Sequence, residues 1–159
     1  MSSLKIVGAI IIAVSGIVGS YVLNSAARHT LEQIEGFLSL VRHLRNEIEC
    51  FCMPLPSALA RCPREVLVRC GYTASDAPKS VRELVDGCAV SDGETQKAML
   101  SFASSIGKGY RDEQLGLCDY CIELIEARRQ IACEQLPSRI KRNSAVCMCG
   151  ALAVVILLI

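Results

Sequence analysis

From Ile6 to Leu23 no position carries a charge, and the uncharged stretch continues to Ala27 before Arg28 ends it. Eighteen helical residues rise about 27 Å, close to the hydrocarbon thickness of a bilayer. The pattern predicts an N-terminal transmembrane helix over residues 4–23. Within it Ala9 with Ala13, Ser15 with Gly19, and Gly16 with Ser20 form small-xxx-small pairs, which let two membrane helices approach closely. A secretory leader is the competing reading: Lys5 is a thin basic region and Ser25-Ala26-Ala27 resembles a cleavage site. The apolar run is long for a leader, however, and the helical pattern continues past it. Beyond it, Leu31, Ile34, Leu38, Val41, Leu44 and Ile48 recur at steps of three or four, the spacing of an amphipathic helix. Only Gly36 interrupts that pattern, so one helix is expected to run to about Cys52, where Pro54 and Pro56 stop it.

Shorter helical patterns follow. Pro56–Arg61 starts a turn of helix, and Glu65–Cys70 reads as a short helix ended by Gly71. Pro78–Cys88 places Val81, Leu84 and Val85 on one face. Ser91 or Asp92 can then cap a helix over Glu94–Ile106, with Ala98, Met99, Phe102 and Ile106 as its stripe and Gly107 and Gly109 closing it. A last helix begins near Arg111 with Leu115, Cys118, Ile122, Ile125, Arg129 and Ala132 on one face, and Pro137 is expected to kink or break it. The final apolar run, Val146–Ile159, spans only about 21 Å as a helix, a length that alone suits a buried or re-entrant segment. Yet Ala151–Ile159 is apolar on every side, and the uncharged stretch begins at Asn143, directly after Arg139, Lys141 and Arg142. A C-terminal transmembrane helix over 144–159 is the favoured reading. The expected fold is therefore all-α: a cytoplasmic bundle of about six helices over 24–143, flanked by the two spans.

Charge sets the expected topology. Arg28, Arg42, Arg128, Arg129, Arg139, Lys141 and Arg142 flank the two spans on the inner side, against Lys5 outside, which places the middle of the chain in the cytoplasm. Arg139, Lys141 and Arg142 are candidate lipid head-group contacts. In that compartment the ten cysteines read mostly as small buried hydrophobes rather than disulfides. A net charge of +1, no Trp and 4% aromatic residues give no footprint for nucleic acid. Mean hydropathy is +0.38, high for a purely soluble domain. Cys118-x-x-Cys121 is the only CxxC and has no second half-site, and His29 and His43 lie far from it. No phosphate loop, HExxH or GxSxG is present. No catalytic residue, metal ligand or cofactor is expected, although a membrane-tethered cysteine-based redox or metal-binding protein is the alternative from another class.

Four segments, taken in order, resemble one family. They are Leu4-Lys5-Ile6-Val7-Gly8-Ala9; Arg45-Asn46-Glu47-Ile48 leading into Met53-Pro54-Leu55-Pro56-Ser57-Ala58-Leu59; Phe102 to Gly107 and on to Arg111 and Gln114; and the apolar tail Gly150–Ile159. The chain resembles the stage III sporulation protein AB family of endospore-forming bacteria from end to end. It departs from the family pattern at Met53, where Thr is usual, and at Tyr110, where an Asp usually precedes Arg111 and would cap the last helix. The middle is also somewhat short. The resemblance implies a non-enzymatic platform subunit of the mother cell–forespore channel complex, in the mother-cell membrane. Its cytoplasmic part would be similar to the helical domains of the type II secretion inner-membrane platform protein. It implies docking of a secretion-type ATPase and assembly with other membrane subunits, and leaves homo-oligomers open. The candidate partner-binding residues are Pro54, Leu55 and Pro56 in one turn and Arg111 and Gln114 in another. Pro and Gly also serve turns that bind nothing.

Overall fold

A computed structural model describes residues 2–88, 90 and 92–158, with the side chains of 2–7, 9–11, 13, 155, 157 and 158 outside the described set. Among the described residues six helices follow one another: α1 (Ser2–Phe51), α2 (Leu55–Ala60), α3 (Arg64–Arg69), α4 (Val81–Asp86), α5 (Gly93–Ser105) and α6 (Arg111–Leu158). No strand occurs among the described residues, and the all-α expectation holds. The chain divides into two compact units, residues 30–132 and residues 1–29 with 133–159.

The unit over 30–132 holds the core. Here α1 buries Ile34, Phe37, Leu38, Leu40, Val41, Leu44 and Ile48, a wider face than the stripe of its sequence pattern. The reason is that α1 is covered from several sides. Phe37 meets Phe102 of α5 edge to face at 6.0 Å. His43 Nε2 lies 3.2 Å from the Ala58 carbonyl of α2. A Cβ on Gly36 would come within 2.8 Å of the Arg69 carbonyl carbon at the end of α3. On α6, Arg129 pairs with Glu35 at 2.7 Å, Glu126 with Arg42, and Asp119 with Arg45 at 2.5 Å. The descending order of those α6 partners shows that α6 runs antiparallel to α1. Asp119, and after it Glu49, hold the Arg45 guanidinium still further into its charged form. Exposed pairs of this kind add little stability each, but they fix the register of the two helices.

Local chemistry sets the helix ends. Helix α4 begins at Val81, later than the sequence suggests, because Ser80 caps it: the Ser80 hydroxyl accepts from the Glu83 N–H at 3.3 Å, and the Glu83 carboxylate accepts from the Lys79 N–H at 2.9 Å. Asp92 caps α5, accepting from the Thr95 N–H at 3.2 Å and the Glu94 N–H at 3.4 Å. The Thr95 hydroxyl and these amides favour the Asp92 carboxylate, whose pKa falls below the usual carboxylate range. A group depressed in the folded state contributes stability above its unfolded pKa of ~3.9 and loses it as pH falls through the folded value. Asp92→Ala is accordingly expected to cost about 1 kcal/mol at neutral pH. The gap between the two melting temperatures should shrink as the pH is taken from 5 to 2.

Helix α6 does not break at Pro137. The proline removes one backbone donor, and the ladder on both sides carries the helix through.

In the other unit the N-terminal part of α1 pairs with the C-terminal part of α6. A Cβ on Gly16 would lie 3.0 Å from the Ala151 Cβ and 3.3 Å from the Cys147 carbonyl oxygen. One turn on, the Ser20 and Ser144 hydroxyls are 2.9 Å apart, and the Asn24 amide donates to Ser144 Oγ at 3.4 Å. Of the small-residue pairs in the sequence, Gly16–Ser20 is therefore one that permits the approach. The side chains of Ala9 and Ala13 lie outside the described residues. Val14, Ile17, Val18, Tyr21 and Val22 of α1, and Val146, Met148, Leu152 and Ile156 of α6, are exposed. Among the described residues no helix is long and apolar enough to cross a membrane, and the expected spans 4–23 and 144–159 fall partly on side chains outside that set.

Candidate functional site

A helix that ends leaves its last carbonyls without intrahelical donors. Helix α1 ends at Phe51 with no glycine to reverse the chain; Cys52 takes the left-handed conformation instead, with φ +49°. Its orphan carbonyls are met from the first residue of α6: Arg111 donates through Nη2 to the Glu49 carbonyl at 2.6 Å and through Nε to the Ile48 carbonyl at 3.3 Å. The chain then turns through Met53 and Pro54 into α2. Pro54 is extended, ahead of Leu55, and its carbonyl accepts from the Ser57 N–H at 3.0 Å. Beside this turn Arg61 lies over the Phe51 ring at 5.7 Å and pairs with the buried Glu47 at 3.8 Å.

The second turn leaves α5 through Ile106, which is extended, and passes Gly107 (φ +83°) and Gly109 (φ +121°). The Gln114 amide donates to the Gly109 carbonyl at 3.0 Å. The two turns touch, since a Cβ on Gly107 would lie 3.0 Å from Leu55 Cδ2. Between them lies a groove of about 620 Å³. Ile48, Met53, Pro54, Leu55, Pro56 and Ile106 supply its apolar lining, and Cys52, Lys108, Arg111 and Gln114 its polar lining. The structure thus brings together Pro54, Leu55, Pro56, Arg111 and Gln114. Arg139, Lys141 and Arg142 belong to the other unit, where all three are exposed and Arg139 donates to the Gln135 side chain at 3.1 Å.

A family model described as stage III sporulation protein AB matches residues 5–159. The chain belongs to that family. No curated protein and no solved structure matches it. Membership in the stage III sporulation protein AB family implies a sporulation-related role, and the family is not a known enzyme family.

At the start of α6 of this stage III sporulation protein AB family member, where the resemblance leads to the expectation of an Asp cap, the geometry shows what caps the helix. The Tyr110 side chain is not a short capping acceptor as an Asp would be, but the Glu113 carboxylate reaches back to the Tyr110 N–H at 3.2 Å, half of a capping box. The sequence pattern missed Lys108 and Cys52 as lining residues and the capping role of Arg111. The one available signal was a long helix ending without an αL glycine, which calls for a donor from elsewhere. Arg111→Ala is expected to fray the last turn of α1, giving faster amide hydrogen exchange across residues 47–52. Arg111→Lys should restore protection only in part, because an ammonium lacks the two-pronged fork.

All ten cysteines are free. Cys62, Cys70, Cys88, Cys118 and Cys121 are buried, Cys133 and Cys147 partly so, and Cys50, Cys52 and Cys149 exposed. Burial pushes the Cys62, Cys88 and Cys118 thiols up to about 11 and Cys121 to about 12, and Cys70 higher still. Burial thus disfavours the thiolate form of these five side chains. Among the described residues no group of three or more His, Cys, Asp or Glu is placed to hold a metal ion.

Proposed function

We propose that the chain is a non-enzymatic membrane platform subunit of the mother cell–forespore channel complex, and that the groove docks a cytoplasmic secretion-type ATPase. One observation carries the docking site: two turns far apart in sequence converge on a single apolar groove. Membrane attachment is supported by the unit over 1–29 and 133–159. Its helix pair turns small and polar residues inward and leaves large apolar side chains outward. Exposing such surface to water costs about 25 cal/mol per Å², and lipid removes that cost. The seven basic residues flanking the pair favour a cytoplasmic placement for residues 30–132.

The test uses the purified full chain in detergent and the ATPase of the same complex. Saturable binding that Leu55→Arg abolishes, with helical content unchanged, is the expected result. No binding by the unmodified chain would refute the docking. Sidedness has its own readout, since Cys50 and Cys52 are exposed. In intact cells a membrane-impermeant thiol reagent should leave both unlabelled, and labelling them would place this unit outside.

A further inference from the structure

We propose that the groove selects an apolar segment bearing a carboxylate, and that Lys108 is the residue that reads that charge. This deepens the docking reading and rests on it only in taking the groove as a partner site. The charged residues lining the groove are Lys108 and Arg111, both cationic, and no acidic residue lines it. The two cations are not equivalent. Arg111 is engaged, with Nε and Nη2 committed to the carbonyls of α1 and Asp112 3.9 Å from Nη1. Lys108 is exposed, and its ammonium makes no hydrogen bond or ion pair among the described residues, while its backbone N–H is tied to the Ser105 carbonyl at 3.3 Å. The Glu113 carboxylate, outside the lining, accepts from the Tyr110 N–H at 3.2 Å.

A groove of this size lies within the ~300–1,000 Å³ of ordinary ligand pockets. Its aliphatic and proline lining supplies the contact area, and its cationic edge supplies discrimination, with Lys108 the cation whose ammonium makes no hydrogen bond or ion pair among the described residues. Charge at an interface acts on specificity and association rate more than on raw affinity. The occupant that matches both features is a short apolar partner segment with an acidic side chain placed to meet Lys108. A basic or neutral segment of the same shape lacks that match.

The test uses the full chain in nanodiscs and three twelve-residue amphipathic peptides that share the same leucines. Their polar positions are all glutamate, all glutamine or all lysine. The glutamate peptide should bind at least tenfold tighter than the glutamine peptide, with a preference that weakens as salt is raised. Lys108→Glu, a substitution at an exposed turn, should abolish that preference and shift it toward the lysine peptide. Leu55→Arg should weaken all three. Equal binding of the glutamate and glutamine peptides, or an unchanged preference in Lys108→Glu, would overturn the proposal. So would a dimer of the unmodified chain that Leu55→Arg dissociates, because the groove would then be filled by a second copy. Failure of the ATPase to bind while the peptide preference stands refutes the ATPase reading alone.

Discussion

Replacing Phe37 with alanine is expected to destabilise the unit over 30–132 by about 3–5 kcal/mol. The ring is fully buried and packs on that of Phe102, also buried, with centroids 6.0 Å apart and planes at 88°. Truncation removes the transfer term of the ring and leaves a cavity between α1 and α5 that helices tied at several other points cannot collapse to fill. Edge-to-face pairs add ~0.5–1.5 kcal/mol beyond burial. A double-mutant cycle with Phe102→Leu should therefore show coupling of that size. Domains of this kind are stable by only about 5–15 kcal/mol, so the variant stands near the limit of folding. Denaturant titration of the full chain in detergent reads the loss, and a cost under about 1 kcal/mol would contradict the packing described here.

Gly36→Val is expected to rank next, at roughly 3 kcal/mol, the upper part of the range for overpacking. A Cβ at this position would lie 2.7 Å from the Arg69 Cβ and 2.8 Å from the Arg69 carbonyl carbon. These are the backbone and the root of a side chain, so α3 itself has to move. Gly36→Ala should cost less, because alanine regains about 1 kcal/mol of helix propensity. Gly116 is the matched control. It also sits inside a helix but has nothing within 4 Å of a Cβ, so Gly116→Ala should raise the melting temperature. Thermal melts of the three variants decide the matter: if Gly36→Ala and Gly116→Ala shift the same way, the close approach of α3 to α1 is wrong.

The comparison of these two glycines shows where the sequence is legible. Periodicity located the long helices, and the stop at Pro54 and Pro56 placed the end of α1 within a residue or two. The cap at Asp92 and the turn glycines 107 and 109 follow from backbone chemistry that neighbouring residues decide. Gly36 and Gly116 look alike in one dimension, and only tertiary contact separates them. Arg111 is similar: its bonds to the Ile48 and Glu49 carbonyls span 63 and 62 positions, and no local pattern encodes them. The five groove residues could be named from two turns, but their convergence required the fold. Pro137 does not break α6, because the hydrogen-bond ladder on either side of the one lost bond continues.

The ion pairs between α1 and α6 carry a consequence for synthesis on the ribosome. Arg129 meets Glu35 across 94 positions of chain, and Arg42 and Arg45 meet their partners across 84 and 74. At ~5–20 residues per second, α1 waits about 5–20 s for the helix that completes its pairing. During that interval the four short helices emerge first and can cover Phe37 and its neighbours, leaving only the flank that α6 later fills. Arrival of α6 then closes the unit in one step, and a ribosome stalled before residue 119 would present an exposed apolar flank to chaperones and proteases.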